Sequence, residues 1–309
     1  MKAALIAAAA LILAACGSAK ATDRALPESP ENFVAVRTPA SHLQQLSAET
    51  GAVQGVLVAD LGPDFTNNGL TRSPDGRWIF ATWIGRHSLR IERISTAGGP
   101  RTFIADGSQP TISPDGRYLA YITGAKDHFV AVRDLRDGRT RKWDLSALIG
   151  DRVSLGNGQL LWSGAGELVA HPERFGERVA DSGERSDTSF LVHFDPAADT
   201  AILKVTRFDP GEGLVDVYSG GTADPDSVIA SHLVGEKTEF DRIYISSGHR
   251  SRLVEFAGMA LALDRSGTHL LYLIGHSPAA LWSAELRAGG LRKPHRILKN
   301  ARISGGVFW

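Results

Sequence analysis

Residues 275–279 (GHSPA) come nearest to a catalytic arrangement in this chain. They follow the apolar run 271–274, and a serine on a sharp turn after a strand is one way to expose a nucleophile. The turn lacks its second glycine, and a proline follows Ser277. A serine nucleophile also needs a histidine and an acid. Only Glu285 and His295 follow it, inside what we expect to be a further pair of strands. We therefore predict a hairpin loop and assign no catalytic residue.

The ten histidines are dispersed along the chain. None of them forms the i, i+4 pair that places two imidazoles on one helix face for metal binding, and no HExxH-type motif is present. Several lie beside turn residues, where we expect a surface position. Side chains from distant parts of the chain can still meet in the folded protein, but the sequence itself predicts neither a metal site nor a cofactor.

The single cysteine, Cys16, follows a lysine and 13 apolar residues, 3–15. A membrane span needs roughly 20 residues, whereas a shorter apolar run after a positive charge is typical of a signal peptide. Leu13-Ala14-Ala15-Cys16 resembles the lipobox of bacterial lipoproteins, in which the cysteine is lipidated and becomes the new N-terminus. The resemblance implies a signal peptide over 1–15 and lipidation of Cys16. The alternative is a plain secretory signal with an incidental cysteine.

Residues 16–32 mix Ser, Ala, Pro and charge without apolar periodicity, and we interpret them as a lipidated N-terminus and flexible tether. Two or three acyl chains would anchor the protein stably, because a single chain gives only marginal membrane binding. The expected location is the cell envelope, on the extracytoplasmic face of a bacterial membrane. A lone cysteine excludes an intrachain disulfide and a multi-cysteine zinc site.

Two segments that begin with Ser-Pro-Asp-Gly-Arg lie 40 residues apart, at 73–80 and 113–120. Proline presets the backbone for a turn, aspartate hydrogen-bonds back to it and glycine accepts a left-handed conformation. The apolar run after each turn is typical of a strand covered on both faces. A second pair of turns, at Gly98 and Gly138, has the same spacing. A period of about 40 residues built from strands and turns predicts a β-propeller blade.

Weaker copies of the repeat extend the array, and the two ends of the chain complement each other. Residues 43–60 look like a hairpin that lacks its first strands, and 302–309 look like an inner strand without partners. Joining them would close the ring and remove exposed strand edges. The predicted fold is a single all-β propeller over 33–309 with six four-stranded blades. Five or seven blades, or a β-sandwich, are the alternatives. We expect clear blades near 63–105, 106–148, 149–206 and 257–300, and a degenerate one over 207–256.

The Ser-Pro-Asp-Gly-Arg motif followed by an apolar strand resembles the repeat of TolB-type propellers, a class similar to WD40 repeats. The resemblance is clear over 73–83 and 113–123 and looser over most of 63–300. It implies a propeller, but it does not imply an activity, because one fold carries many functions.

The charge composition indicates which class of partner is not expected. Lysine plus arginine equals aspartate plus glutamate, at 34 each, whereas nucleic-acid-binding proteins usually show a basic excess or stripe. The sequence therefore predicts no nucleic-acid partner. The charged insertion 171–188 is expected to be a solvated loop or a partner-binding loop. The six tryptophans mostly lie in apolar runs, where core packing is expected and an aromatic ligand platform is the alternative.

These features together predict a membrane-anchored propeller that binds or holds a protein or peptide of the envelope. The alternative is an enzyme, a propeller hydrolase or lactonase with polar or metal-binding residues at its central channel. Clustered carboxylate, Asn or His side chains at the channel would favour the enzyme, and an apolar or aromatic patch on one face would favour the binding protein.

Overall fold

The computed structural model describes residues 32–37, 42–62, 64–124, 128–150, 153–155, 160–175, 186–197, 202–208, 214–219, 224–234, 237–264, 266–275, 279–287, 289–301 and 303–308. The predicted signal peptide, Cys16 and nearly all of the predicted tether lie outside these residues. No helix in the described part of the chain has the length and apolar character needed to span a membrane.

The described strands form six sheets, which we number I to VI. Sheet I contains β1 (Asn32–Arg37), β2 (His42–Ser47), β3 (Val53–Val58) and the C-terminal β26 (Ile303–Phe308). Sheet II contains β4 (Phe65–Arg72), β5 (Trp78–Ile84), β6 (Leu89–Ser95) and β7 (Thr102–Asp106). Sheet III contains β8 (Ser108–Ile112), β9 (Tyr118–Thr123), β10 (Phe129–Asp134) and β11 (Thr140–Asp144), and the short helix α1 (Ser146–Ile149) follows it.

Sheet IV is the largest of the six and contains β12 (Val153–Ser154), β13 (Leu160–Trp162), β14 (Leu168–Ala170), β15 (Glu173–Phe175), β16 (Ser186–Phe194) and β17 (Ile202–Phe208). Sheet V contains β18 (Leu214–Ser219), β19 (Ser227–Val234), β20 (Lys237–Tyr244) and β21 (Arg250–Ala257). Sheet VI contains β22 (Met259–Leu263), β23 (His269–Ile274), β24 (Ala280–Arg287) and β25 (Gly290–Leu298).

The sheets stand side by side around an axis. Their first strands contact one another in a closed circle that runs β26, β4, β8, β13, β18, β22 and back to β26. The second strands lie between neighbouring sheets and are therefore covered on both faces. In β5 (Trp78–Ile84) and β9 (Tyr118–Thr123), five consecutive residues are buried. This placement explains why these strands are continuous apolar runs instead of alternating ones.

The two Ser-Pro-Asp-Gly-Arg segments form equivalent turns between the first and second strands of sheets II and III. Asp115 Oδ1 accepts hydrogen bonds from Ser113 Oγ at 2.6 Å and from Arg117 N at 3.0 Å. Ser113 Oγ in turn accepts one from Tyr118 N at 2.8 Å. The same three bonds join Ser73, Asp75, Arg77 and Trp78. The motif therefore sets the turn by local chemistry, independently of the rest of the fold.

The two ends of the chain meet in sheet I, as predicted. Ala35 of β1 pairs with Val307 of β26 in antiparallel register, and β1 pairs on its other side with β2. The sequence missed β1, which begins at Asn32, the last residue of the predicted tether. The ring is therefore closed by three N-terminal strands, β1 to β3, paired with β26, and not by the N-terminal hairpin alone.

Sheet IV departs from the sequence-based prediction. The sequence placed the strand 160–162 after a turn at 157–158, but β13 is the first strand of its sheet and the equivalent turn follows it, at 163–166. Ser163 Oγ accepts hydrogen bonds from Ala165 N and Glu167 N, both at 3.2 Å. This turn lacks proline and aspartate and begins 50 residues after Ser113, so the 40-residue period does not find it. Residues 157–158 lie outside the described residues.

Candidate binding face

The ring has two ends that differ in chemistry. We call one the turn end, where the first strand of each sheet connects to the second and the third to the fourth. We call the other the loop end, where the second strand connects to the third and where the chain passes to the next sheet. The chain enters β1 at the turn end, because Asn32 pairs with Ser47, next to the turn at 49–51.

Aspartates close the connections at the turn end by accepting backbone hydrogen bonds. Asp134 Oδ1 accepts from Arg136 N at 2.9 Å, and Asp264 Oδ1 accepts from Thr268 N at 2.8 Å. The hydrogen bond from Ser73 lowers the pKa of Asp75, which keeps that carboxylate charged. The carboxylates that close these described turns are therefore satisfied by hydrogen bonds.

The loop end carries exposed apolar side chains. Five large hydrophobic residues there expose 37–58 % of their surface: Ile84, Leu148, Val234, Met259 and Ile274. Ile84, Val234 and Ile274 are the last residues of second strands, Met259 is the first residue of a first strand, and Leu148 lies in α1 just after a fourth strand. Alternating strand direction places all five positions at the same end.

Three of these residues lie at the loop ends of two neighbouring sheets, V and VI. Met259 pairs with Leu273 in the register of β22 and β23. A Cβ on Gly258 would lie 3.3 Å from Ile274 Cγ1, so Ile274 covers the backbone just before Met259. Val234 lies two strands from Ala257 in sheet V, because it pairs with Lys237 and Lys237 pairs with Ala257. Val234, Met259 and Ile274 are therefore three exposed apolar residues at the loop ends of neighbouring sheets, and we call this group the V/VI corner.

The other large exposed apolar side chains of the described residues lie on fourth strands at the rim of the ring. They are Val53 and Val56 of β3, Phe103 of β7, and Leu203 and Val205 of β17. Arg90 lies over the Phe103 ring at 4.8 Å and covers part of it.

The predicted hairpin at 275–279 is confirmed, since β23 and β24 pair from His269–Glu285 to Ile274–Ala280. Ser277 itself lies outside the described residues. Glu285 is five residues along β24 from Ala280, or roughly 17 Å at the rise of a strand, and it binds Lys293 Nζ at 2.8 Å. Glu285 is therefore near the opposite end of β24 from the hairpin connection.

Three histidines contradict the expected surface position. His171, His193 and His232 are all buried. Burial lowers the pKa of His171 to about 3. Burial also lowers the pKa of His193 and of His232, in the second case with help from the Arg250 cation. The residues next to them in the sequence do not predict this burial, because it depends on which sheets face each other. Within the described residues, no group of three or more His, Cys, Asp or Glu side chains could hold a metal ion.

The tryptophans pack mainly in the core, as predicted. Trp83, Trp143 and Trp162 are buried, and the Trp83 indole donates a hydrogen bond to Leu61 O at 2.9 Å. Trp78 is half-buried beneath the Arg93 guanidinium, at 4.4 Å. Trp309 lies outside the described residues.

The insertion 171–188 is in part a sheet, where the sequence predicted a loop. Its ends form β15 and the first three residues of β16, and β12 pairs with β15 to extend sheet IV. The extension begins directly after His171, where β14 reaches the loop end. Residues 176–185 lie outside the described residues.

A scan of family models and a search of curated proteins find no match for this chain. Among solved structures, the chain is similar to TolB from Acinetobacter baumannii with a TM-score of 0.53 and 14 % identity, over 86 % of this chain and 66 % of TolB. The chain is an all-β propeller. It spans just under two thirds of TolB, and at this identity the likeness shows the fold alone.

Two further structural neighbours match over nearly the whole of both chains. One is a chain of a nidogen/laminin complex, with a TM-score of 0.56, 14 % identity, and coverage of 90 % of this chain and 97 % of that chain. The other is a functionally unknown protein from Desulfotomaculum acetoxidans DSM 771, with a TM-score of 0.50, 14 % identity, and coverage of 90 % and 98 %.

Proposed function

We propose that this chain is a bacterial envelope lipoprotein, anchored through Cys16, whose propeller holds a protein or peptide partner and catalyses no reaction. The observation that carries the proposal is the set of five large exposed apolar side chains at the loop end, three of which belong to the V/VI corner. Exposed apolar patches rimmed by polar residues mark interaction sites on soluble domains. A propeller presents such a patch on a rigid frame, so little ordering entropy opposes binding.

The position of the tether supports a binding face that points away from the membrane. Residues 16–32 would reach on the order of 20 Å as a coil, and they join β1 at the turn end. A membrane that holds the lipid on Cys16 would then face the turn end. The loop end would face away from the membrane, where a partner can approach it.

The fold comparisons agree with a binding role. TolB is one structural neighbour, and another lies in a complex of nidogen with laminin. These proteins share the fold of this chain at 14 % identity. They support the class of function and do not identify a partner.

The anchor is tested by metabolic labelling with a palmitate analogue, followed by separation of membranes from soluble proteins. We expect the full chain to be labelled and membrane-bound, and the Cys16→Ala variant to be unlabelled and released from the membrane. Label that remains after Cys16→Ala, or an unlabelled full chain, would refute lipidation at Cys16.

The binding face is tested by photo-crosslinking in intact cells. A photoreactive amino acid is placed at Met259 or Ile274, and at Ala97 as a matched control on the turn end, where the side chain is also exposed. We expect a discrete heterologous adduct from the two loop-end positions and none from Ala97. Adducts of equal yield at both ends, or none at the loop end, would contradict the proposal.

A further inference from the structure

The four turns at the turn end of sheets II and III form one continuous surface. A backbone hydrogen bond of 2.9 Å joins the two turns of sheet II, and one of 2.8 Å joins the two turns of sheet III. The two sheets also touch each other here, because a Cβ on Gly116 would lie 3.3 Å from Pro74 Cδ. We call these turns and the strand residues next to them the II/III turn surface, which comprises 72–77, 93–99, 113–117 and 133–139.

The II/III turn surface has an excess of positive charge. Its four segments contain seven arginines against four aspartates and no lysine, glutamate or histidine, which is an excess of three positive charges. Two of the aspartates pair with arginines of the same surface. Arg77 Nε lies 3.4 Å from Asp75 Oδ2, and Arg117 Nη2 lies 2.8 Å from Asp134 Oδ2. Arginine does not lose its charge in proteins, so the positive excess persists at any pH at which the protein is folded.

Sheets IV and V carry the opposite charge at the same end of the ring. Their turns contain four carboxylates and two arginines among the residues that the structure describes: Glu167, Asp195, Asp224 and Asp226 with Arg242 and Arg250. One of the two arginines is paired within these turns, because Arg242 Nη1 lies 3.2 Å from Asp224 Oδ2. The positive excess is therefore a local property of sheets II and III.

Three arginines of the II/III turn surface are exposed, namely Arg77, Arg136 and Arg139. Arg77 keeps 77 % of its side-chain surface accessible although it pairs with Asp75. Arg77 lies in a turn of sheet II, whereas the other two lie in a turn of sheet III, so the exposed cations are spread over the surface. Guanidinium groups bind phosphate oxygens through paired hydrogen bonds. This arrangement suits a plane of phosphate groups better than one small anion.

Two further arginines of the surface are held against aromatic rings. The Arg93 guanidinium lies over the Trp78 ring at 4.4 Å, and the Arg117 guanidinium lies over the Tyr118 ring at 4.7 Å. A stacked guanidinium has already lost part of its conformational freedom, so binding of an anionic partner costs less entropy there.

The N-terminal tether joins the ring beside this surface. Asn32 pairs with Ser47 at the turn end of sheet I, and β26 of sheet I contacts β4 of sheet II. Residues 16–32 would reach on the order of 20 Å as a coil. A membrane that holds a lipid on Cys16 would therefore lie within reach of the II/III turn surface.

We propose that the II/III turn surface binds the anionic phospholipids of the membrane that anchors the chain, so that the turn ends of sheets II and III lie against the bilayer. This inference rests on the proposed anchor for the side of the ring at which the membrane lies. Electrostatic attraction acts over about 10 Å at about 0.1 M salt. The tether supplies a high effective concentration of lipid, so a weak attraction is enough to orient the propeller.

Vesicle binding by the lipid-free chain tests the surface without the anchor. Residues 17–309 include every residue that the structure describes. They are mixed with vesicles of phosphatidylcholine alone or with about 30 % phosphatidylglycerol, and the bound fraction is measured by sedimentation. We expect binding to the anionic vesicles at low salt, no binding to the neutral ones, and release at high salt. Equal binding to both kinds of vesicle, or binding to neither, would overturn the proposal.

Replacement of the exposed arginines locates the binding surface. The triple variant Arg77→Gln, Arg136→Gln and Arg139→Gln should lower the partition coefficient on anionic vesicles about 100-fold, because each arginine near such a surface contributes a factor of about five.

The matched control removes three exposed positive charges elsewhere, through Arg292→Gln, Arg296→Gln and Lys299→Gln in and just after β25. It has the same net charge as the first variant and should bind within about threefold of the unmodified chain. Equal losses in the two variants would show a general charge effect and would overturn the proposal.

Two comparisons separate this proposal from its alternatives. Sodium phosphate and sodium chloride at equal ionic strength should release the chain from vesicles equally, whereas stronger release by phosphate would reveal a discrete phosphate site and overturn a membrane-facing surface. Palmitate labelling reports on Cys16 independently. A labelled full chain whose lipid-free form ignores anionic vesicles would refute the surface and leave the anchor standing. An unlabelled full chain whose lipid-free form binds them would refute the anchor and support the surface.

Discussion

Trp83 packs at the interface between sheets I and II. Its replacement by phenylalanine tests how much this side chain contributes to the stability of the protein. The side chain is buried in a cluster with Leu43 of sheet I and Ile79 of sheet II. Its indole donates a hydrogen bond to Leu61 O at 2.9 Å, and its ring meets Phe65 edge-to-face at 6.0 Å. Trp83→Phe keeps an aromatic ring but removes the hydrogen-bond donor.

The size of the effect follows from these contacts. Leu61 is buried, so its carbonyl group would be left without this donor, at a cost of about 1–3 kcal/mol. The smaller ring also leaves a cavity, which adds about 1 kcal/mol. We therefore expect Trp83→Phe to lower the free energy of unfolding by about 2–4 kcal/mol.

Urea unfolding at pH 7.5, followed by circular dichroism, measures this change. The matched control is Trp78→Phe in the same strand, where the indole is half-buried and lies beneath Arg93 at 4.4 Å. The control should cost no more than about 1 kcal/mol. Equal losses for the two variants, or a loss below about 1 kcal/mol for Trp83→Phe, would refute the assigned contacts.

Two further predictions concern the turns and the inner strands. Asp115→Ala should lower the free energy of unfolding by about 1–2 kcal/mol, because Ser113 Oγ and Arg117 N lose their acceptor, and Asp115→Asn should cost less because one oxygen remains. Burial raises the pKa of Asp115, but the hydrogen bonds from Ser113 and Arg117 outweigh it and hold the value below 3.8, so this contribution should be present above pH 3.8 and fade below it. A stability difference between wild type and Asp115→Ala that persists at pH 2 would contradict this account. Gly69→Ala should cost more than about 2 kcal/mol, because φ is +88° and a Cβ would lie 2.4 Å from Gln109 Cα. Gly98→Ala, with a similar φ of +89° but open space around it, should cost only about 1 kcal/mol, and equal losses at both glycines would argue against the close approach of β4 and β8.

The predictable parts of the fold are those set by local chemistry. The turn at 113–117 is closed by its own Ser and Asp side chains, so its sequence predicts its structure wherever it occurs. Sheet VI was found in the same way, through the turn that begins at Asp264. The corresponding turn of sheet IV contains neither Pro nor Asp and begins at Ser163 after a longer connection, so the repeat period misplaced it.

The buried histidines and the apolar corner could not be predicted, because both depend on which strands face each other. His171 and His232 are 61 residues apart in the sequence, and their burial depends on sheets IV and V being neighbours in the ring. Ile84 directly follows the buried Trp83 in one apolar run, and the sequence does not mark the point at which the covering sheets end. An apolar residue at the end of a second strand therefore looks like core until the structure shows its exposure.

The most direct test of the account is the mass of the assembly that the chain forms in its own membrane. The chain is extracted in mild detergent and its native mass is compared with that of a variant carrying Ile84→Ser, Val234→Ser, Met259→Ser and Ile274→Ser, all at exposed positions. We predict that the wild-type chain migrates at a higher mass than the detergent-bound variant, together with a second protein in fixed ratio. The variant should melt at the same temperature and migrate alone. A wild-type chain that migrates alone, or a variant that keeps the second protein, would contradict a binding face at the loop end.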